Sequence, residues 1–336
     1  MTGADVMFHE LLELRTRPRP RASPPPPRHG YRRLQRESWP LRRIVVVLFF
    51  IGSTGAAIYP TAAAWFSDRI HATELSGYVE SVEGLPPAER TAMLDAARAY
   101  NDRLSTGPIV DPYSLGIDGL PEDLADDVDR YLETLAIGVD GMMGRIRIDR
   151  IGVSLPIYHG TGERSLSQGV GHLYGTALPV GGPGTHAVLT SHSGLLNAAL
   201  FTHLEELEVG DVFSVTVLDE TLTYEVDQIR TVTPEKTEGL QAVAGEDYIT
   251  LVTCTPTGVN THRLLVRGHR VATPANADQG RTAIANDTGD PGFPWWALLF
   301  AVAVIGSIAI SRLMVRRSAH SRRPEPAPGP RRRGSA

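Results

Sequence analysis

The sequence predicts a mostly β domain, a barrel or a sandwich with added helices, held between two transmembrane helices. Three observations carry that prediction. From about Gly144 the apolar residues alternate with period two, and short β-rich runs follow one another, separated by Gly, Pro, Asp and Asn clusters. Two stretches, Ile44–Phe66 and Pro294–Val315, are almost free of charge and long enough for the roughly 20 apolar residues a spanning helix needs. Charge is also segregated. Residues 1–43 carry +6 and residues 311–336 carry +7, against a net −5 for all 336 residues, so the middle holds −18.

The chain begins with a basic leader, residues 1–43, containing Pro18, Pro20 and Pro24-Pro25-Pro26-Pro27. Such composition cannot bury a core and reads as a disordered or polyproline segment, an electrostatic anchor more readily than an SH3-type ligand. The first span, 44–66, follows Arg42-Arg43, and the second, 294–315, opens on Trp295-Trp296 and ends before Arg316-Arg317. The positive-inside rule then puts both termini in the cytoplasm and the acidic middle outside it. A cleaved signal peptide with Ala62-Ala63-Ala64 as its processing site is the alternative for the first span; the long basic leader and the length of the apolar run oppose it. Basic ends around an acidic middle oppose a nucleic-acid-binding domain.

Between the spans, residues 67–142 read as a helical segment. One helix opens at Pro86-Pro87 with Met93, Leu94, Ala97 and Tyr100 on its inner face, and another opens at Pro121-Glu122-Asp123-Leu124 with Leu124, Val128, Tyr131 and Leu132 inward. A loop, 107–115, lies between them. Residues 143–272 form the β-rich domain, with strands expected around Ile146–Ile148, Val153–Ile157, Ala187–Thr190, Val212–Leu218, Thr221–Val226, Ile249–Val252 and Leu264–Val266. One helix, Asn197–Leu207, is expected among them, with Leu200, Phe201, Leu204 and Leu207 inward. Residues 273–293 read as a linker and 316–336 as a second basic tail.

Cys254 is the single cysteine. It can form no internal disulfide and no thiolate metal cluster, so it is either an inert core residue or a nucleophile. It ends the strand-like run Thr250-Leu251-Val252-Thr253-Cys254, and Arg263 stands nine residues on, at the start of the next strand. A short loop between them makes a hairpin with Cys254 and Arg263 side by side. His192, in Leu189-Thr190-Ser191-His192, also sits at a strand end. A thiolate that attacks a carbonyl, an imidazole that moves its proton and a guanidinium that holds the developing oxyanion together suit acyl transfer through a thioester. On spacing alone, His262 and His269 compete with His192 for the proton-transfer role. No spaced His, Asp or Glu set suggests a metal, and no cofactor is expected.

The run Thr250–Cys254 followed by Arg263, with Leu189-Thr190-Ser191-His192 upstream, resembles the signature of the sortases, cysteine transpeptidases of Gram-positive cell envelopes. The resemblance covers roughly residues 86–272. It implies an eight-stranded β-barrel with added helices, Cys254 as nucleophile, His192 as proton-transfer partner and Arg263 as oxyanion or substrate stabiliser. The second span and Asp111-Pro112-Tyr113 resemble class C, the pilin-polymerising sortases, in which an Asp-Pro-aromatic lid covers the site. The implied reaction cuts a Leu-Pro-X-Thr-Gly-like sorting signal between Thr and Gly and passes the acyl group to an amine, a pilin lysine in that class. Partners would be proteins bearing C-terminal sorting signals, the membrane and a cell-wall precursor. Thr253 and Thr190 are candidates for lining the substrate groove. Ser191 and Ser193 depart from the residues expected beside the histidine in class C. The rivals are a wall-anchoring housekeeping sortase, which would not need the lid, and a non-catalytic envelope assembly factor, which would tolerate Cys254→Ala. A papain-like protease is opposed because its cysteine precedes its histidine, and an L,D-transpeptidase because its His-Gly motif lies close to the cysteine.

Overall fold

The computed structural model describes residues 38–104, 109–114, 120, 125–138, 141–275 and 279–320. The expected disordered stretches of both basic tails, and the helix start at Pro121–Leu124, lie outside the described residues. Residues 52–306 form one compact unit; the ends of the chain, residues 1–51 and 307–336, group as another.

The first helix, α1, is Ser38–Gly84, with Pro60 inside it. It outlasts the expected apolar run of 44–66 by 18 residues. After Pro60 the next proline is Pro86, and an amphipathic stripe takes over beyond Asp68 and Arg69. Ala72, Leu75, Tyr78, Val79 and Val82 are buried, and the last four belong to the main core. They recur at helical spacing, and each large side chain so buried contributes about 1.5–3 kcal/mol. The Tyr78 hydroxyl donates to the Met143 carbonyl (3.1 Å) and accepts from the Leu218 amide (2.8 Å). Helix α2, Pro87–Arg103, starts with Pro at its first position and buries Leu94 and Ala97. Helix α3 is Ala125–Glu133. It buries Val128 and Tyr131, while Leu132, expected inward, is exposed.

Eight strands close into a barrel: β1 Met142–Ile148, β2 Val153–His159, β3 Val170–His172, β4 Thr185–Thr190, β5 Val212–Val217, β6 Glu220–Val232, β7 Asp247–Thr255 and β8 His262–Val271. Their order around the barrel is β1-β2-β3-β4-β7-β8-β6-β5, with β5 returning to β1. The pairs β2–β3 and β4–β7 are parallel; the others are antiparallel. A short helix, α4 (Glu163–Gln168), bridges β2 and β3. Alternating side chains such as Ile146, Ile148, Leu189, Val215, Leu251 and Val266 fill the interior.

Two expectations need correction. Asn197–Leu207 is not an α-helix. It is a series of turns ending in a 3-10 turn at Leu204–Glu206. Leu200, Phe201, Leu204 and Leu207 are all buried as their spacing required, but Leu200 takes a left-handed backbone (φ 43°), which no α-helix continues through. The 273–293 linker also contains a helix, α5 (Gly280–Asn286), whose Ala283 and Ile284 are buried. The amide of Gly280 donates to Thr221 Oγ1 (2.9 Å), Arg281 pairs with Asp219, and Arg145 of β1 donates to the Asp287 carbonyl. The final helix, α6, is Trp295–His320. Within the larger unit Trp65 and Phe66 of α1 pack edge-on or tilted against Trp296 of α6 (6.3 and 5.7 Å between ring centres). Leu41–Gly84 and Trp295–Leu313 are the described helical stretches long and apolar enough to cross a membrane.

Candidate functional site

Three adjacent strands bring Cys254, Arg263 and His192 to one end of the barrel. β7 ends at Thr255, and Pro256, which has no amide to donate, cannot extend the ladder. The turn that follows closes through Val259 N and Asn260 N on the Pro256 carbonyl (2.9 and 3.0 Å), with Asn260 in the left-handed region (φ 61°). The hairpin expected from the sequence forms, and Cys254 and Arg263 face each other across β7 and β8. On the other side β4 runs parallel to β7 with Thr190 opposite Val252. Two further residues along each strand set His192 level with Cys254.

The Arg263 guanidinium is fully engaged. Its Nη1 donates to Cys254 Sγ (3.4 Å) and to the Asn260 carbonyl (3.2 Å). Its Nε and Nη2 meet Asp111 Oδ1 and Oδ2 at 2.8 and 2.9 Å, a two-pronged ion pair. The pair is nearly dry, with side chains 11% and 10% exposed. The Tyr113 ring lies under the same guanidinium, 4.7 Å from its central carbon, and tilts against the His192 ring at 5.9 Å. Its hydroxyl donates to the Ser191 carbonyl (2.7 Å). Asp111–Ser114 makes a turn, Ser114 N to Asp111 O at 3.0 Å, so Asp111-Pro112-Tyr113 sits as one unit over the thiol.

Burial raises the Cys254 pKa above the ordinary thiol value. Arg263 and the Tyr113 hydroxyl oppose that rise, and the Asp111 carboxylate adds to it. The covered site therefore favours the neutral thiol. Burial likewise pushes Tyr113 well up, which keeps its hydroxyl a donor.

The competing histidines separate cleanly. His269 pairs with Tyr248 at the far end of the hairpin from Cys254. His262 neighbours Arg263 in β8 and so projects to the opposite face, where it contacts Thr261 Oγ1 (2.9 Å). Thr253 is buried, and its hydroxyl donates to the same Ser191 carbonyl that Tyr113 uses (2.8 Å). It lines the volume the tyrosine fills. Thr190 is fully buried, with a hydroxyl that has no hydrogen-bond partner, and presents nothing to a groove in this conformation.

Several supporting residues escaped the sequence reading. Ser191 Oγ donates to the Gly169 carbonyl (2.6 Å) and Ser193 Oγ to the Cys254 carbonyl (2.7 Å), so the two serines that flank His192 fasten its loop to both neighbouring segments. Phe201 N returns to the His192 carbonyl (3.0 Å). Glu163 Oε2 approaches His192 Nε2 at 3.4 Å from an exposed position on α4. Only the Ser-His-Ser string itself hinted at these ties, because Ser readily bonds nearby backbone. Among the described residues, no three His, Cys, Asp or Glu side chains converge to hold a metal ion.

A family model described as the sortase domain matches residues 146–271. The curated "Sortase A" of Streptococcus agalactiae serotype III (strain NEM316) is 33% identical over 128 residues, 37% of this chain and 51% of that one. The chain thus spans about half the length of this curated relative. Among solved structures, sortase C-1 from Actinomyces oris is 49% identical with a TM-score of 0.52, covering 56% of this chain and all of that one. Sortase C of Streptococcus pneumoniae, in a structure described as bearing on catalysis and pilin substrate specificity, is 38% identical with a TM-score of 0.53, covering 60% and 98%.

Proposed function

Because this chain belongs to the sortase family, we propose that it is a membrane-anchored cysteine transpeptidase of the pilin-polymerising kind. The observation that carries the reading is the Cys254–Arg263 cross-strand pair under Asp111-Pro112-Tyr113, with two guanidinium donors held by the Asp111 carboxylate.

The cycle runs as follows. Departure of the Asp111–Tyr113 lid removes a negative charge and the burial that both hold the thiol neutral. The Cys254 thiol passes its proton to His192, and the thiolate attacks the Thr carbonyl of a Leu-Pro-X-Thr-Gly-like signal. Arg263 Nε and Nη2, released from Asp111, donate to the oxyanion. Collapse breaks the Thr–Gly bond, His192 gives its proton to the departing glycine amine, and a thioester remains. An acceptor amine then attacks, His192 takes its proton, and the thiolate leaves. In this reading Thr253 lines the groove and Thr190 supports its floor. No cofactor enters the cycle.

The acceptor we favour is a pilin lysine, since the sorting-signal proteins joined would be pilin subunits and the lid accompanies that class. Anchoring to wall peptide, the housekeeping alternative, is the second reading. Both spans would cross the cell membrane with the basic tails in the cytoplasm and the barrel outside, a reading the flanking arginines support.

The test uses the full chain in detergent with a Leu-Pro-X-Thr-Gly peptide and intact-mass readout after acid quench. The wild type, Cys254→Ala and Asp111→Ala/Tyr113→Ala are run together. A hydroxylamine-labile adduct of acyl-peptide mass, strongest in the double variant and absent without Cys254, is expected. Failure of a panel of sorting signals to acylate the double variant favours the assembly-factor reading.

A further inference from the structure

Two threonine hydroxyls hold the lid by its backbone from opposite walls of the groove. Thr161, in the loop between β2 and α4, donates Oγ1 to the Pro112 carbonyl at 2.7 Å and is only 4% exposed. Thr237, in the connection between β6 and β7, donates Oγ1 to the Ile109 carbonyl at 2.8 Å. The side chains of Ile109 and Tyr113, on the same segment, pack on an apolar cluster of Leu173, Val188, Val232, Leu240, Val252 and Leu265, separate from the main core. The lid is thus bound as a peptide is bound. Ile109 and Tyr113 enter an apolar floor, the Ile109 and Pro112 carbonyls meet side-chain donors, and Asp111 meets Arg263.

That arrangement has a consequence for the open state. When the lid leaves, its carbonyls leave with it. The Thr161 hydroxyl then loses the acceptor it holds in the closed site, and only water or an incoming carbonyl can replace it. An extended peptide entering the same groove brings backbone carbonyls whatever its side chains are. Resting on the transpeptidase reading, we infer that Thr161 and Thr237 are shared donors: they latch the lid when it is closed and hold backbone carbonyls of the sorting peptide when it is open. They are positioning residues that set the register of the peptide over Cys254. Because a carbonyl is common to every residue, they contribute affinity and register without reading sequence. The lid and the peptide then compete for the same two hydroxyls, which makes lid release part of substrate binding.

The experiment reads Cys254 alkylation by iodoacetamide in the detergent-solubilised full chain. Without peptide, Thr161→Val and Thr237→Val each raise the alkylation rate several-fold, and Thr161→Ser returns it to the wild-type rate. A second set carries Asp111→Ala/Tyr113→Ala, which removes the lid's ion pair and ring contacts and so weakens its competition. There the concentration of Leu-Pro-X-Thr-Gly peptide that half-protects Cys254 rises about tenfold with either valine and is restored by Thr161→Ser. Thermal melts check that each variant is folded. An unchanged alkylation rate in both single variants overturns the latch. An unchanged half-protecting concentration in the second set overturns the sharing. If no sorting peptide protects the Asp111→Ala/Tyr113→Ala form that retains both threonines, the transpeptidase reading itself fails and this inference with it, an outcome distinct from protection that valine leaves untouched.

Discussion

The Asp111 carboxylate clasps Arg263 with both oxygens, at 2.8 and 2.9 Å, on the same guanidinium whose Nη1 touches the Cys254 sulfur. One carboxylate therefore controls both the donors and the charge state of the site. Burial raises the thiol pKa most; Arg263 and the Tyr113 hydroxyl oppose the rise, and the Asp111 carboxylate adds to it. Removing the acid takes away the like charge and loosens the cover, so the pKa falls and more thiolate exists at any given pH. Asp111→Ala should shift the midpoint of a pH–alkylation curve to lower pH and raise the neutral-pH rate. Superimposable wild-type and variant curves would separate Asp111 from thiol control.

A second expectation concerns acid stability. His172 is fully buried; Tyr131 Oη lies 2.9 Å from its Nδ1, and its Nε2 lies 2.8 Å from the Ala177 carbonyl. Burial lowers its pKa from 6.5 to about 4. The unfolded chain thus binds a proton that the folded chain refuses between those values. The stabilisation is complete above pH 6.5, falls as pH drops through that window and is exhausted near pH 4, at most about 3 kcal/mol in all. His172→Gln should flatten the dependence of the melting temperature on pH between 6.5 and 4, whatever it does to the value at pH 7.

The β7–β8 hairpin and its Cys254–Arg263 pair were legible because β-rich runs bounded by Thr-Pro and Asn leave one register. The burial of Leu200, Phe201, Leu204 and Leu207 was legible too, but not their conformation, since apolar spacing says which residues go inward and not whether turns or a helix take them there. The extension of α1 was present as a stripe through Leu75, Tyr78, Val79 and Val82, masked by the charges at Asp68 and Arg69 that end the apolar run. Helix α5 was hidden by its Gly- and Asn-rich setting; what orders it is tertiary, through Asp219, Thr221 and Arg145. The parallel β4–β7 pairing that levels His192 with Cys254 joins segments some sixty residues apart, and no local pattern announces it.

Arg263→Lys tests whether geometry or charge matters at the site. Lysine keeps the charge but offers a single point in place of a planar fork, so it cannot hold both Asp111 oxygens or present paired donors to an oxyanion. We expect acyl-enzyme formation to slow about 100- to 1,000-fold, the usual cost of one oxyanion donor. Iodoacetamide alkylation should rise over the same substitution, because the lid loses its bidentate partner. Opposite movement of the two rates is the diagnostic. A parallel fall in both would mean that Arg263 acts mainly by lowering the thiol pKa.

Ser193→Ala asks what fixes the histidine. The Ser193 hydroxyl donates to the Cys254 carbonyl at 2.7 Å in a buried position, tying the residue after His192 to Cys254 itself. Alanine removes that tie and lets the His192 loop move relative to β7, while the bonds of Ser191, Phe201, Tyr113, Thr253 and Glu163 still restrain it. The loss of one buried hydrogen bond is worth about 1–3 kcal/mol of stability. Proton transfer depends on placement to a fraction of an ångström, so turnover should fall about tenfold while peptide KM stays near wild type. Ser193→Thr, which retains the hydroxyl, should recover most of the rate. If kcat survives while only the melting temperature drops, Ser193 is a fastener of the barrel and His192 is placed by the remaining ties.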